Sequence, residues 1–125
     1  MPTDLPSTLF LIGRLLIGGV FLYAAIGNIR AFSDALGFLT KRGVPQPRVV
    51  LMAGIAVHLV SSVLVILGIW TALGALGLVV FTVAATWTYH NFWDYSGPDR
   101  AAKLRSFTNN LMIIGGLLVL LGASL

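Results

Sequence analysis

The sequence predicts an all-α integral membrane protein: one domain, built as a four-helix transmembrane bundle. Three observations predict it. Of 125 residues, 58% are hydrophobic and 10% charged, whereas a soluble domain carries about 25% charged residues to cover its surface. From Val49 to Trp93, 45 residues, there is no Asp, Glu, Lys or Arg. One continuous helix of that length would run ~67 Å, about twice the ~30 Å hydrocarbon core of a bilayer, so the run must fold back. The third observation is charge placement. The basic residues gather in two connections, one on each side of that run.

Taken in order, span one covers about 9–29 and is apolar except for Arg14, Tyr23 and Asn28. A connection follows. Its first part, about 31–39, spaces Phe32, Leu36 and Leu39 as an amphipathic helix lying in the interface would. Gly43-Val-Pro-Gln-Pro47 breaks that helix and starts span two, about 49–69. Gly68 to Gly74 holds the turn, with Trp70 at the depth that amphipathic rings prefer. Span three covers about 72–92. A polar connection from Asp94 to Ser106 leads to span four, about 108–125.

Orientation follows from the positions of eight basic residues. Arg30, Lys41, Arg42 and Arg48 belong to the first connection, and Arg100, Lys103 and Arg105 to the third. The second connection has none. Connections one and three share a side in a four-span protein, so that side is cytoplasmic and both termini face outward. This distribution also accounts for the net charge of +4 without nucleic acid. Met1 to Thr8 holds Asp4 and two prolines rather than a basic segment, so no secretory signal is expected. Cysteine is absent, which excludes disulfides, thiol nucleophiles and Cys-ligated metal centres.

An ionisable group costs ~2.5–3.5 kcal/mol at mid-bilayer, so the polar residues inside the spans are informative. Arg14 has two readings: snorkelling to the nearby headgroups, or an inward cation for an anionic or carbonyl group. It shares a helical stripe with Gly18, Phe21, Ala25 and Asn28. His58 falls near mid-bilayer, with Ser61 and Ser62 on its face. It reads either as a structural interhelical hydrogen bond or as a proton relay or a donor to a quinone carbonyl. Thr82, Thr86 and His90 repeat every four residues in span three, with Trp93 three further on. His90 is an interface anchor or a site residue. Asn28, Asn109 and Asn110 should share its depth, where a ligand site or helix-end capping explains them. No metal-binding motif is present, and Glu is absent altogether.

The chain resembles the DoxX family of small four-helix bacterial membrane proteins over nearly its whole length. The resemblance is carried by Arg14, Ala24-Ala-Ile-Gly-Asn-Ile29, Phe38-Leu-Thr-Lys-Arg-Gly-Val-Pro45, His90-Asn-Phe-Trp93 and Asn109-Asn-Leu-Met-Ile-Ile-Gly-Gly-Leu-Leu118. It departs where Asn28 replaces a common Lys and where His58 stands at a position that often carries an acid. The resemblance implies a cytoplasmic-membrane protein. Founding members are associated with a thiosulfate:quinone oxidoreductase, others with accessory roles in membrane complexes.

Two functions follow as expectations. The first is a membrane subunit of a quinone-linked redox system, with a quinone held by His90, Trp93, Asn109, Asn110 and Asn28, and with Arg14 or His58 supporting proton movement. Quinone is then the possible cofactor, and electrons come from a partner or a bound cofactor, because the chain has no redox centre of its own. The second is a non-catalytic assembly subunit packed against other membrane subunits or its own copies. The sequence assigns no reaction.

Overall fold

The structure, a computed structural model, describes residues 3–125. Its elements are α1 (Leu5–Arg30), α2 (Phe32–Lys41), α3 (Pro47–Leu67), α4 (Thr71–Tyr89), a 3-10 turn (Phe92–Asp94) and α5 (Gly97–Ser124). The described residues contain no strand. α1, α3, α5 and the segment from Thr71 to Asp94 are each long and apolar enough to cross a bilayer.

Local chemistry fixes the helix ends. Asp4 caps α1 by accepting the Ser7 N–H at 2.9 Å. The Ser7 side chain and backbone together hold the Asp4 carboxyl below its ordinary pKa. Pro47 opens α3, where its missing N–H costs nothing. Gly68 closes α3 in the left-handed region at φ 70°, and the Gly68 and Ile69 N–H groups both bond the Leu64 carbonyl. Only residues 68–70 separate α3 from α4.

Two bounds differ from the sequence expectation. The fourth long helix starts at Gly97, not near Thr108. Ala101, Ala102, Lys103, Leu104 and Arg105 are strong helix formers, so the basic stretch extends the helix instead of forming a loop. The third long helix stops at Tyr89, and Trp93 lies in the 3-10 turn beyond it.

α1 packs on α3, α3 on α4, and α4 on α5, while α2 lies against α3. The core consists of Val65, Ala75, Leu78, Leu117 and Leu120, with Phe10, Ile17 and Phe21 of α1 against it. All of these except Phe21 and Leu78 lie toward the end that holds both termini and the α3–α4 turn. At that end backbones come close. A Cβ on Gly74 would lie 2.9 Å from the Ser61 carbonyl oxygen, and one on Gly18 would lie 3.1 Å from the Ile66 nitrogen. Large apolar side chains such as Leu16, Val20, Met112 and Val119 point outward. That is the surface a bilayer requires.

Candidate functional site

The opposite half of the bundle, toward α2 and the α4–α5 connection, is hollow. A cavity of about 630 Å³ lies between the helices, within the usual range for small-molecule sites. Ala35 and Leu39 of α2 close its end, and Asn110 and Ile113 bring α5 to its wall. Val20, 65% exposed, and Ala24 also line it, so it reaches the lipid-facing surface beside α1.

His58 is the most enclosed polar group on the wall, at 1% exposure. It projects from the middle of α3, where Gly54 one turn earlier leaves room: the nearest atom to a Cβ there is Phe81 Cε1, at 3.9 Å. Phe81 stacks on the imidazole with centroids 4.1 Å apart, and Phe21 stands edge-on at 5.6 Å and 80°. Asn28 Nδ2 lies 3.3 Å from His58 Nδ1. The second ring nitrogen, Nε2, is buried without a partner among the described residues. Ser62 does not supply one. Its hydroxyl donates to the His58 carbonyl at 2.6 Å.

A second polar row comes from α4. Thr86 Oγ1 donates to the Thr82 carbonyl at 2.6 Å and accepts from Asn110 Nδ2 at 3.0 Å. This orients Asn110 on the cavity wall. Thr82 Oγ1 is buried and, like His58 Nε2, has no partner among the described residues. His90 caps the end of α4, half-buried, and lines the cavity beside Tyr89.

Cations brace the wall at this end. Arg42 Nη1 donates to the Thr88 carbonyl at 2.9 Å, and Lys103 Nζ donates to the Tyr89 carbonyl at 2.7 Å. Both carbonyls belong to the last turn of α4, where orphan acceptors and the helix dipole favour positive charge. Phe38 of α2 stacks on Tyr89 with centroids 5.0 Å apart, which fastens α2 over the cavity.

The cavity thus gathers His58, His90, Asn28 and Asn110. Three other residues considered from sequence lie elsewhere. Asn109 is exposed and off the wall. Trp93 packs with Trp87, Phe92 and Phe107 in an aromatic cluster outside the cavity. Arg14 lies in the packed half, its guanidinium close over Gly68. Phe21, Phe81 and Tyr89 contribute to the wall although sequence reading did not place them there. The i+4 spacing of Phe81 before Ala85 and Tyr89 was the available signal. Among the described residues no cluster of three His, Cys, Asp or Glu side chains is placed to hold a metal.

This architecture defines a multi-pass helical membrane protein with a largely apolar cavity between its spans. The chain belongs to the DoxX family, whose model matches residues 9–91, about two thirds of its length. It is similar to the inner membrane protein YphA of Escherichia coli (strain K12), with 22% identity over 112 residues, covering 90% of this chain and 80% of that protein. No solved structure matches.

Proposed function

We propose that this protein is an inner-membrane subunit of a quinone-linked redox system and binds a quinone, or a similar lipid-soluble ring, in the cavity. The observation that carries the proposal is the pairing of two orphaned polar atoms, His58 Nε2 and Thr82 Oγ1, with an apolar chamber that reaches the lipid surface. A buried polar atom left unpaired costs about 1–3 kcal/mol, a penalty that a ligand carbonyl would remove. Phe21 and Phe81 suit a flat ring. His90 and Asn110 offer polar contacts at the other end of the chamber.

The E. coli relative's name supports location in a bacterial inner membrane. The basic connections support an orientation with α2 at the cytoplasmic face and both termini outside. Electrons reach the quinone from a partner subunit, since this chain supplies binding and orientation only. The test is quinone titration of purified protein in nanodiscs, with His58→Leu and His90→Ala beside the native chain. Unchanged affinity in both variants removes this site.

A second reading, an assembly subunit, is favoured by glycines that packing within the chain does not explain. A Cβ on Gly115 or Gly116 of α5 would meet nothing within 4 Å. If these glycines receive a neighbouring helix, Gly115→Leu dissociates the complex and leaves the isolated fold intact.

A further inference from the structure

We infer that the seam between α1 and α5 is a lateral portal: the ligand's ring sits in the cavity while its apolar chain passes between Ala24 and Ile113 into the half of the bilayer on the α2 side. This rests on the quinone reading above and adds the class of ligand, a ring that carries a lipid tail.

The long helices form an open series. α1 packs on α3, α3 on α4 and α4 on α5, and among the described residues no comparable packing joins α1 to α5. At the end that holds the termini, a shared core covers this seam. Leu117 and Leu120 of α5 belong to the same cluster as Phe10, Ile17 and Phe21 of α1. Toward α2 that core stops, and both helices turn cavity-lining residues to the seam. Val20 and Ala24 of α1 and Ile113 of α5 line the cavity and are exposed, Ile113 at 40%. A residue that is wall and outer surface at once marks a mouth. Gly27 continues the α1 edge one turn beyond Ala24, and a Cβ there would meet nothing within 4 Å. Val50 of α3 and Ala84 of α4 are also exposed wall residues, but α3 and α4 pack on one another, so the pair freer to part is α1 and α5.

The other end offers no comparable route. Phe38 of α2 stacks on Tyr89, and Arg42 ties the end of α2 to the Thr88 carbonyl, so α2 is held across the water-facing end. The energetics favour a tail left outside. Acyl chains are as apolar as leucine side chains, so an alkyl tail gains no hydrophobic energy by leaving lipid for protein. A cavity of about 630 Å³ suits a ring and a short substituent. Enclosing a long tail would require overpacking it.

Three probes test this in nanodiscs: a dimethoxybenzoquinone with no tail, with a decyl tail and with a longer polyprenyl tail. Affinities are referred to ligand concentration in the lipid, so that partitioning cancels. In native protein the two tailed probes should bind within about twofold of each other. Affinity that falls steeply with tail length means an enclosed tail and overturns the portal. Ala24→Trp and Ile113→Trp should weaken the decyl probe at least about tenfold more than the tailless one, the scale of a clash in packed apolar space. Met112→Trp, outward on the same helix as Ile113, should leave both unchanged. Equal losses for tailed and tailless probes overturn the portal. A diazirine on the tail carbon next to the ring gives a measurement on the native chain that needs no variant to fold. It should label residues 20–24 and 110–113. Labelling of α2, or of Val50 and Ala84, overturns the portal and leaves quinone binding standing. Binding of no probe, tailed or tailless, removes the quinone reading with it.

Discussion

Arg42 and Thr88, 46 residues apart, are joined by a 2.9 Å hydrogen bond from the guanidinium to the backbone carbonyl. This bond ties the end of α2 to the last turn of α4, and Lys103 brings in α5 through the adjacent Tyr89 carbonyl. Basic residues of the two connections therefore brace the end of α4 that walls the cavity. Arg42→Gln should loosen α2 while the four long helices persist. Arg42 is exposed, so the loss is about 0.5–1 kcal/mol. Hydrogen exchange checks it: amides of residues 35–41 should lose protection and those of α3 should not. Equal protection in both proteins would show that Phe38–Tyr89 stacking alone holds α2.

Glycine positions separate internal packing from outward surface. Gly74→Ala should cost about 1–3 kcal/mol, since its Cβ would press on the Ser61 carbonyl and Val65. Gly18→Ala should cost a similar amount, because Ile66 Cγ1 lies 2.7 Å from that Cβ and the Ile66 nitrogen and Ser62 carbonyl oxygen stand behind it at 3.1 and 3.2 Å. Gly115→Ala, with nothing within 4 Å, should change stability by less than about 0.5 kcal/mol or raise it through helix propensity. Unfolding of the three variants in mixed detergent measures the order. Gly115→Ala as the most damaging would contradict this packing.

The spans were legible because charge is excluded from lipid and the run from Val49 to Trp93 is too long for one crossing. The start of α5 was less legible. Charge marks depth, whereas helix propensity decides backbone, and from Gly97 to Phe107 the two disagree. The cavity was only partly legible. Adjacent residues differ by about 100° around a helix, so without a packing partner the sequence does not rank Asn110 above Asn109. The 3-10 turn at Phe92–Asp94 redirects Trp93 into the outer aromatic cluster, and no periodicity announces it. Estimated depth set His58 and His90 apart, yet one elongated chamber takes both. The Asn28–His58 pair joins α1 to α3, a relation that spacing within either helix does not contain.

The Asp4 cap gives a pH dependence with a definite sign. Bonding from Ser7 lowers its pKa in the folded chain below the ordinary 3.8. The cap's contribution is present above the unfolded value and is lost as pH falls through the folded one. Acidification should therefore fray the first turn of α1 before any other helix end changes, because the cap is fully exposed and local. Amide exchange at Ser7 and Thr8 would follow it. Asp4→Asn should make the protection of these amides, taken against the intrinsic exchange rate at each pH, insensitive to pH over the same range, because an Asn cap does not titrate.

His58→Leu separates stability from binding. If His58 were structural, its loss would destabilise the bundle by about 2 kcal/mol or more, as loss of a satisfied buried hydrogen bond with its packing does. The geometry argues otherwise. Only one of the two ring nitrogens is partnered, and Nε2 already carries the penalty of an unpaired buried polar atom. Leucine preserves apolar contact with Phe21 and Phe81 and removes that penalty. The partner left behind, Asn28, is half-buried near the end of α1. The variant should therefore unfold at the native temperature or higher, with a gain of up to about 1 kcal/mol. Quinone affinity should fall at least about tenfold. Thermal unfolding and quinone titration on the same preparation measure both. A lower Tm with unchanged affinity would assign His58 to the scaffold and leave Thr82, His90 and Asn110 as the polar groups of the chamber.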